Sequence, residues 1–398
     1  MRIAIIGAGP GGLYTAALLK RLRPGCEIDV WEAGAPDETF GFGVVLSEGA
    51  LGGIEAADPR LFARLDAACA RWSRIDVHHR GQVMRNGGYR FSAIGRRVLL
   101  TMLRTRCAEL GVTVRYGTRA PEAALLAGTY DLVVAADGVN SSTREAHRED
   151  FGTEGGTRGS RYLWLGTDRT FTALTFAVAE TEFGPMHAHA YPYAPGLSTF
   201  IAEVDDHVRE AAGFTDGDAG TPGGGRDDHG TADAGRIAGF FAGVLDGHGL
   251  RTNRSRWARF SVVRNRRWSH GNIALLGDSA HTTHFSIGSG TRLAMEDALS
   301  LALAVDGHGA VPDALTAYEA ERRPDVESMQ RTARISQEWF EELDRYTDLG
   351  LEAFNAHLIT RSGRLTQDDM PSWSPDRVEL VRDRFARADS RLRGAAAH

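Results

Sequence analysis

The opening stretch, Met1-Arg-Ile-Ala-Ile-Ile-Gly-Ala-Gly-Pro-Gly-Gly12, restricts the fold of this 398-residue chain more than any other segment. Residues 3–6 are an apolar run suited to a buried parallel strand, and Gly7, Gly9 and Gly12 follow at the spacing G-x-G-x-x-G. The first glycine permits a tight turn, the second lets the backbone approach a pyrophosphate, and the third lets a helix pack closely on the strand. Pro10 and Gly11 stand where that helix starts, so its free amides face the phosphates. The helix is predicted over 11–22, stops at Pro24-Gly25, and gives way to a second strand over 27–32. Glu32 ends that strand about 20 residues past the last glycine, where a carboxylate accepts the hydroxyls of an adenosine ribose. Strand, helix, strand and acid together predict a dinucleotide site.

The chain returns to this unit twice. Residues 130–136 read as a buried strand whose carboxyl end carries Asp137, and residues 272–276 as another that delivers Gly277-Asp-Ser-Ala-His281. Ligands of open α/β sheets gather at the carboxyl ends of strands, which places Asp137 to meet one. Helical periodicity is expected around 61–69, over 96–110 and over 291–305. Between the returns, residues 161–204 contain four β-like stretches, which predict an antiparallel sheet inserted into the first domain. The fold class is therefore α/β: a Rossmann-like nucleotide domain, an inserted antiparallel substrate sheet, and C-terminal helices. The expected nucleotide domain comprises 1–73, 93–158 and 265–330, the sheet domain 74–92 and 159–264, and the helical segment 331–398. Asn86-Gly87-Gly88 signals a hairpin. Residues 215–234, nearly devoid of apolar side chains, are expected to form a mobile loop. The helices beyond Pro312 are expected to break at Pro324 and Pro371 and to serve as scaffolding.

Composition excludes several roles. A net charge of −6 with 25% charged residues gives no reason to expect a nucleic-acid partner. Lys20 is the only lysine, so an arginine cluster is weak support for a binding site. Cys26, Cys69 and Cys107 are scattered without a C-x-x-C pair, which argues against a disulfide framework or a metal site. No apolar run approaches the roughly 18 residues of a membrane helix, and the first strand starts at once. A cytoplasmic protein with no membrane partner, monomeric or homodimeric, is the expectation.

Three motifs stand in a fixed order: Gly7-x-Gly9-x-x-Gly12 with Glu32, Asp137-Gly138 with Ser141 and Arg144, and Gly277-Asp278 with Ala280-His281. Together they resemble the group A flavoprotein monooxygenases, the family of para-hydroxybenzoate hydroxylase. Tyr318-Glu319 with Arg322-Arg323-Pro324 is similar to that family's C-terminal signature. The resemblance implies FAD, with its pyrophosphate on residues 7–12, its ribose on Glu32 and its ribityl chain on Gly277-Asp278. It also implies a flavin-contacting Arg96, and a role for Asp137 toward both FAD and a transient NAD(P)H co-substrate. The implied reaction is aromatic hydroxylation by O2 through a C4a-hydroperoxyflavin. Helix-terminal amides at Gly288, Gly290 and Thr291 are placed to stabilise the anion of a reduced flavin.

The chain departs from the common pattern at His284-Phe285, where relatives usually carry proline, and at Arg292, where they usually carry asparagine. The stretches 39–45, 162–166, 195–200 and 284–291 are similar to the subgroup of salicylyl-CoA 5-hydroxylase and 2-aminobenzoyl-CoA monooxygenase/reductase. That likeness implies an aryl-CoA thioester such as salicylyl-CoA, hydroxylated at position 5, para to its ring hydroxyl. A free tryptophan- or phenol-derived intermediate is the alternative substrate, and an FAD-dependent reductase or halogenase the alternative chemistry; no W-x-W-x-I-P stretch supports a halogenase. His284 is either the acid–base group at the reacting edge or a packed helix-entry residue. His189, Tyr191 and Tyr193 alternate along one strand and share a face, read as either pocket lining or an ordinary sheet face. Phe285 and Trp164 either stack on the substrate ring or pack the core. Arg254, Arg256, Arg259, Arg264, Arg266 and Arg267 either receive CoA phosphates or are a solvated surface.

Overall fold

The computed structural model describes residues 1–36, 38–39, 41–46, 48–214, 228–363 and 374–395. A six-stranded sheet runs in the order Ser269–His270, Ile273–Leu275, Leu132–Ala135, Arg2–Ile6, Glu27–Trp31 and Thr113–Arg115. Every neighbouring pair is parallel except the Ser269–His270 edge. Ile3 and Ile5 are wholly buried at its centre, each contributing roughly 1.5–3 kcal/mol by leaving water. The helix Pro10–Leu22 takes its proline at the first position and packs between this sheet and the helix Gly290–Gly307. Its near-complete burial follows from an apolar sequence broken only by basic residues in the last turn, where the helix dipole favours them.

The second sheet has seven strands in the order Ala258–Asn265, Thr153–Thr167, Leu197–Val204, Gly184–Ala194, Leu174–Thr181, Ile75–His79 and Gln82–Asn86. It is antiparallel apart from the pairing of Leu174–Thr181 with Ile75–His79. A small third sheet, Gly43–Leu46, Phe91–Gly95 and Ala70–Trp72, joins the two halves. One core cluster covers the nucleotide half, while a second lies on the seven-stranded sheet. A third cluster combines Ile75, Val77 and Phe176 of that sheet with Trp339, Phe340, Phe354 and Leu358, so the C-terminal helices lie directly on it.

Three expectations need correction. The hairpin turns at Arg80-Gly81, whose φ angles of 49° and 72° fit a two-residue turn, and Asn86-Gly87-Gly88 instead leads on to the strand Phe91–Gly95. The helix Val311–Glu341 runs unbroken through Pro324. A proline inside a helix costs roughly 3 kcal/mol; here the adjoining turns are tied down by Arg322 to Glu296 and Asp297 and by Arg323 to Glu319. Of the expected loop, residues 215–227 lie outside the described residues, but Asp228–Phe240 is helix because Ala234 and Ile237 seat one face in the second core. Pro371 also lies outside the described residues.

Candidate active site

The strand Arg2–Ile6 ends in a turn that tolerates no side chain. Gly7 has φ +100°, and a Cβ there falls 2.3 Å from the Ala136 carbonyl oxygen; a Cβ on Gly12 falls 2.1 Å from that of Gly7. At Gly9 a Cβ meets nothing within 4 Å, so that backbone borders open space. Gly9 is also the helix N-cap and offers no side-chain bond, which leaves the amides that follow Pro10 and Gly11 without a capping partner. Glu32 shapes the far side, accepting from the Ala8 N–H at 2.9 Å and the Gly34 N–H at 2.8 Å. Its carboxylate keeps lone pairs to spare for further donors.

Asp278 retains solvent contact although protein crowds it on every side, the mark of a residue lining a deep crevice. Burial raises its carboxyl pKa against the pull of His281 and Arg96. Burial likewise lowers the Arg96 guanidinium, with the Asp278 carboxylate opposing, so the two side chains feel one another's charge. Asp137 accepts from the Thr143 N–H at 3.2 Å through one oxygen, while its other oxygen is buried without a partner. Open helix amides, a glycine cradle and an orphaned carboxylate oxygen form a site that fits FAD.

Gly277, with φ +65°, donates its N–H to Asp297 at 3.2 Å. Asp297 also meets His281 at 2.7 Å and Arg322 at 2.9 Å. Burial pushes its pKa up, but His281 and Arg322 outweigh it and hold the carboxyl below its usual range. The helix Gly290–Gly307 starts beside this network with Ser289 as an uncapped N-cap, leaving the amides of Gly290 and Thr291 free of a side-chain partner. Gly288 is left-handed at φ +61°, with Val45 against it. Arg292 is turned inward and donates to Glu296 at 2.7 Å.

On the seven-stranded sheet a second set of polar groups is buried among aromatic rings. His187 Nε2 lies 2.9 Å from Glu203, and His284 Nε2 lies 3.5 Å from its other oxygen. Glu203 is only 2% exposed; burial pushes its carboxyl up, yet the imidazoles of His284 and His187 hold it far below the usual range. The Ser286 backbone N–H donates to His284 Nδ1 at 3.4 Å, and Ser286 Oγ stands 2.9 Å away. Because a backbone N–H can only donate, Nδ1 is the acceptor and the ring proton sits on Nε2, facing Glu203. Nδ1 of His284 is thereby hydrogen-bonded, while its Nε2 makes an ion-pair contact with Glu203 but no hydrogen bond. His189 is 3% exposed, and its Nε2 likewise has no hydrogen-bond partner. Burial, reinforced by His187, keeps its pKa well below the ordinary value, so the ring is neutral. Phe176 and Phe340 each lie 4.8 Å from it, centroid to centroid, and Phe285 lies 5.6 Å away with Tyr162 beyond.

The shared face of His189, Tyr191 and Tyr193 divides between two environments. Tyr191 donates its phenol to the Gly43 carbonyl at 2.8 Å and stacks on Trp72, so its hydroxyl is committed to the main chain. Tyr193 fills the space that a Cβ on Gly43 needs, and Trp164 does the same at Gly41. Of the six arginines, Arg254, Arg259 and Arg266 pair with Glu38, Asp206 and Glu154. Glu203, His187, Ser286 and Arg361 escaped the sequence reading. Only the alternation from His187 to His189 hinted that polar groups share one face there.

A family model described as an FAD binding domain matches residues 1–333, and the chain belongs to that family. It is 42% identical to a salicyloyl-CoA 5-hydroxylase from a Streptomyces species over 369 residues, 91% of this chain and 70% of that one. It is also 42% identical to the 3-hydroxy-4-methyl-anthranilyl-(aryl-carrier protein) 5-monooxygenase of Streptosporangium sibiricum over 370 residues, 93% of this chain and 97% of the other. Among solved structures, a 2-methyl-3-hydroxypyridine-5-carboxylic acid oxygenase superimposes with a TM-score of 0.67 at 18% identity, covering 92% and 96% of the two chains, a likeness of fold. The protein is an FAD-dependent monooxygenase that uses NAD(P)H and O2. No helix among the described residues is long and apolar enough to cross a membrane.

Proposed function

We propose that this protein hydroxylates a benzoyl group carried as a thioester, at ring position 5, para to a hydroxyl or amino group at position 2. Two relatives at equal identity support the reading. One is named for salicyloyl-CoA and the other for an anthranilyl group on a carrier protein, and both names place the reaction at position 5. An oxygen or nitrogen at position 2 donates electron density to the para carbon, which is where an electrophilic oxygen is attacked. Within the protein, one observation carries the proposal: His189 is a buried, neutral imidazole whose Nε2 has no hydrogen-bond partner, set among Phe176, Phe285 and Phe340. A buried polar atom left unpaired costs roughly 1–3 kcal/mol, so a ligand that pairs with it is favoured.

Residues 7–12, with Gly7, Gly9, Pro10, Gly11 and Gly12, and Glu32, Arg96, Asp137, Gly277 and Asp278 hold FAD in this reading. The uncapped amides at Gly290 and Thr291, past the turn at Gly288, would donate to the bound flavin and stabilise the anion of its reduced form. Bound FAD supplies the redox chemistry, taking a hydride from NAD(P)H and delivering one oxygen atom of O2. His189 Nε2, in a neutral ring, takes a hydrogen bond from the ring hydroxyl or amine and so orients the ring. Glu203 and His284, 3.5 Å apart, form the wall behind it. Phe285 and Tyr162 exclude water.

The test is flavin reduction by NAD(P)H with salicylyl thioester, free salicylate and tryptophan side by side, with products identified by mass and ring position. Only the thioester is expected to accelerate reduction and gain one oxygen at position 5; acceleration by salicylate or tryptophan alone overturns the reading. His189→Phe is expected to keep its flavin while product formed per NAD(P)H consumed falls roughly tenfold or more.

A further inference from the structure

We propose that Arg361 binds the acyl oxygen of the substrate, which makes the C-terminal segment part of the recognition site. The inference rests on the thioester reading above and adds a residue to it. Arg361 follows the helix Leu351–Thr360, beyond the residues 1–333 that the family model matches.

Its guanidinium is held rigidly but incompletely used. Nε donates to Ser336 Oγ at 2.9 Å, one Nη to the Leu358 carbonyl at 2.6 Å, and the other Nη to the Ser286 carbonyl at 3.1 Å. A guanidinium has five N–H donors, so one hydrogen on each Nη remains to be satisfied. The cation lies 4.9 Å from the centre of the Phe176 ring and 5.0 Å from that of Phe340, and those two rings are the ones that flank His189. No carboxylate among the described residues pairs with it. Protein surrounds Arg361 closely enough that burial pushes its pKa down to about 10, which leaves it charged at neutral pH, yet the residue keeps some solvent contact. Those two facts place it on the wall of an internal space.

The two spare N–H donors suit either a carbonyl or a carboxylate oxygen, and the charge already present decides between them. Glu203, ionised between His187 and His284, shares the surroundings of His189 with Arg361 and balances it. A neutral acyl oxygen adds no charge to that enclosed region, whereas a carboxylate adds an uncompensated one. An aromatic acyl group therefore reaches two fixed points, with its ring substituent at His189 and its acyl oxygen at Arg361. Hydrogen bonds also run from Arg361 through Ser336 Oγ and Ser286 Oγ, 2.8 Å apart, to His284, so the arginine is braced against the wall that holds Glu203.

The experiment measures equilibrium binding to the FAD-loaded protein through the change in flavin absorbance. Three ligands are compared: the 2-hydroxybenzoyl thioester of pantetheine, its thioether analogue with CH2 in place of the carbonyl, and salicylate. Wild type is expected to bind the thioester roughly tenfold or more tightly than the thioether, as a charge-assisted hydrogen bond allows. In Arg361→Met that preference disappears while thioether affinity changes less than about threefold; in Arg361→Lys, which keeps the charge and loses the fork, the preference is partly retained. Equal loss for thioester and thioether in both variants points to a merely structural arginine and overturns the inference, as does a preference that survives in Arg361→Met. So does salicylate proving the ligand most weakened. Wild type that binds neither sulfur compound overturns the substrate reading itself, a different result from either. Should Arg361→Met fail to retain flavin, the thioester-to-thioether ratio in Arg361→Lys decides: an unchanged ratio overturns the inference.

Discussion

On the nucleotide side of the site, Asp297 accepts from His281 and Arg322, Arg322 reaches on to Glu296, and Glu296 holds Arg292. On the substrate side, Glu203 is hydrogen-bonded to His187 and stands 3.5 Å from His284, but Nε2 of His284 and Nε2 of His189 make no hydrogen bond, and Arg361 has two N–H hydrogens to spare. Both networks are buried, so both are costly unless satisfied. The first is complete in the protein alone and braces the crevice wall behind Asp278. The second leaves buried polar atoms unsatisfied, which is what a wall that receives a ligand is expected to show and a purely structural one is not.

The comparison breaks most decisively at the glycine turn. Gly12→Ala forces a Cβ to within 2.1 Å of the Gly7 carbonyl oxygen, and neither backbone can yield without parting the strand from its helix. A loss of about 3 kcal/mol or more in stability is expected, together with most of the bound flavin. Gly9→Ala is the matched control, since its Cβ meets nothing within 4 Å. It is expected to leave the folding midpoint nearly unchanged while weakening FAD. Flavin content and thermal unfolding of the two variants check this; equal loss in both places the steric limit elsewhere than in the turn.

That turn was legible in the sequence because its chemistry is local. Gly7, Gly9, Gly12 and Glu32 lie within one strand–helix–strand unit, and each spacing is fixed by backbone geometry. Asp137 and Gly277-Asp278 were readable for the same reason, as residues at the carboxyl ends of strands in that sheet. The substrate wall is assembled differently. His189, Glu203, His284, Ser336 and Arg361 come from five separate elements and meet only through tertiary packing. His284 stood out by type and by its unusual place, yet its ion-pair contact is with Glu203, which no local pattern links to it. The C-terminal helices read as scaffolding because their apolar spacing is ordinary; nothing in that spacing discloses that Arg361 faces inward. Pro324 misled through the opposite error, a strong local rule overridden by the ion pairs of Arg322 and Arg323.

Glu203→Gln sharpens the contrast through pH. Burial raises the carboxyl pKa, but His284 and His187 hold it far below its ordinary 4.5 in the folded protein. The unfolded chain then binds the proton more readily, so this group stabilises the fold fully above about pH 4.5 and the contribution drains away as pH falls toward the folded value. Removing the charge between two buried imidazoles is expected to cost about 3 kcal/mol at pH 7. Thermal unfolding from pH 7 to pH 3 should show the wild-type midpoint falling steeply in acid, the variant falling less, and the curves converging. Parallel curves overturn the claim that Glu203 is the ionised centre of this wall.

The smallest expected effect separates positioning from chemistry within a single strand. Tyr191 stands two residues from His189, but its phenol is bound to the Gly43 carbonyl, and the Gly43 N–H is independently held by Thr199 Oγ1 at 2.9 Å. Tyr191→Phe removes one buried hydrogen bond, keeps the ring against Trp72, and is expected to cost about 1 kcal/mol, a midpoint shift of about 2 °C. Because Gly43 stays anchored from its other side, product formed per NAD(P)H is expected to change less than about twofold, against the tenfold loss expected for His189→Phe. A large fall in kcat with an unchanged midpoint assigns the phenol to the reaction instead, and moves the boundary of the chemical wall two residues along the strand toward Gly43.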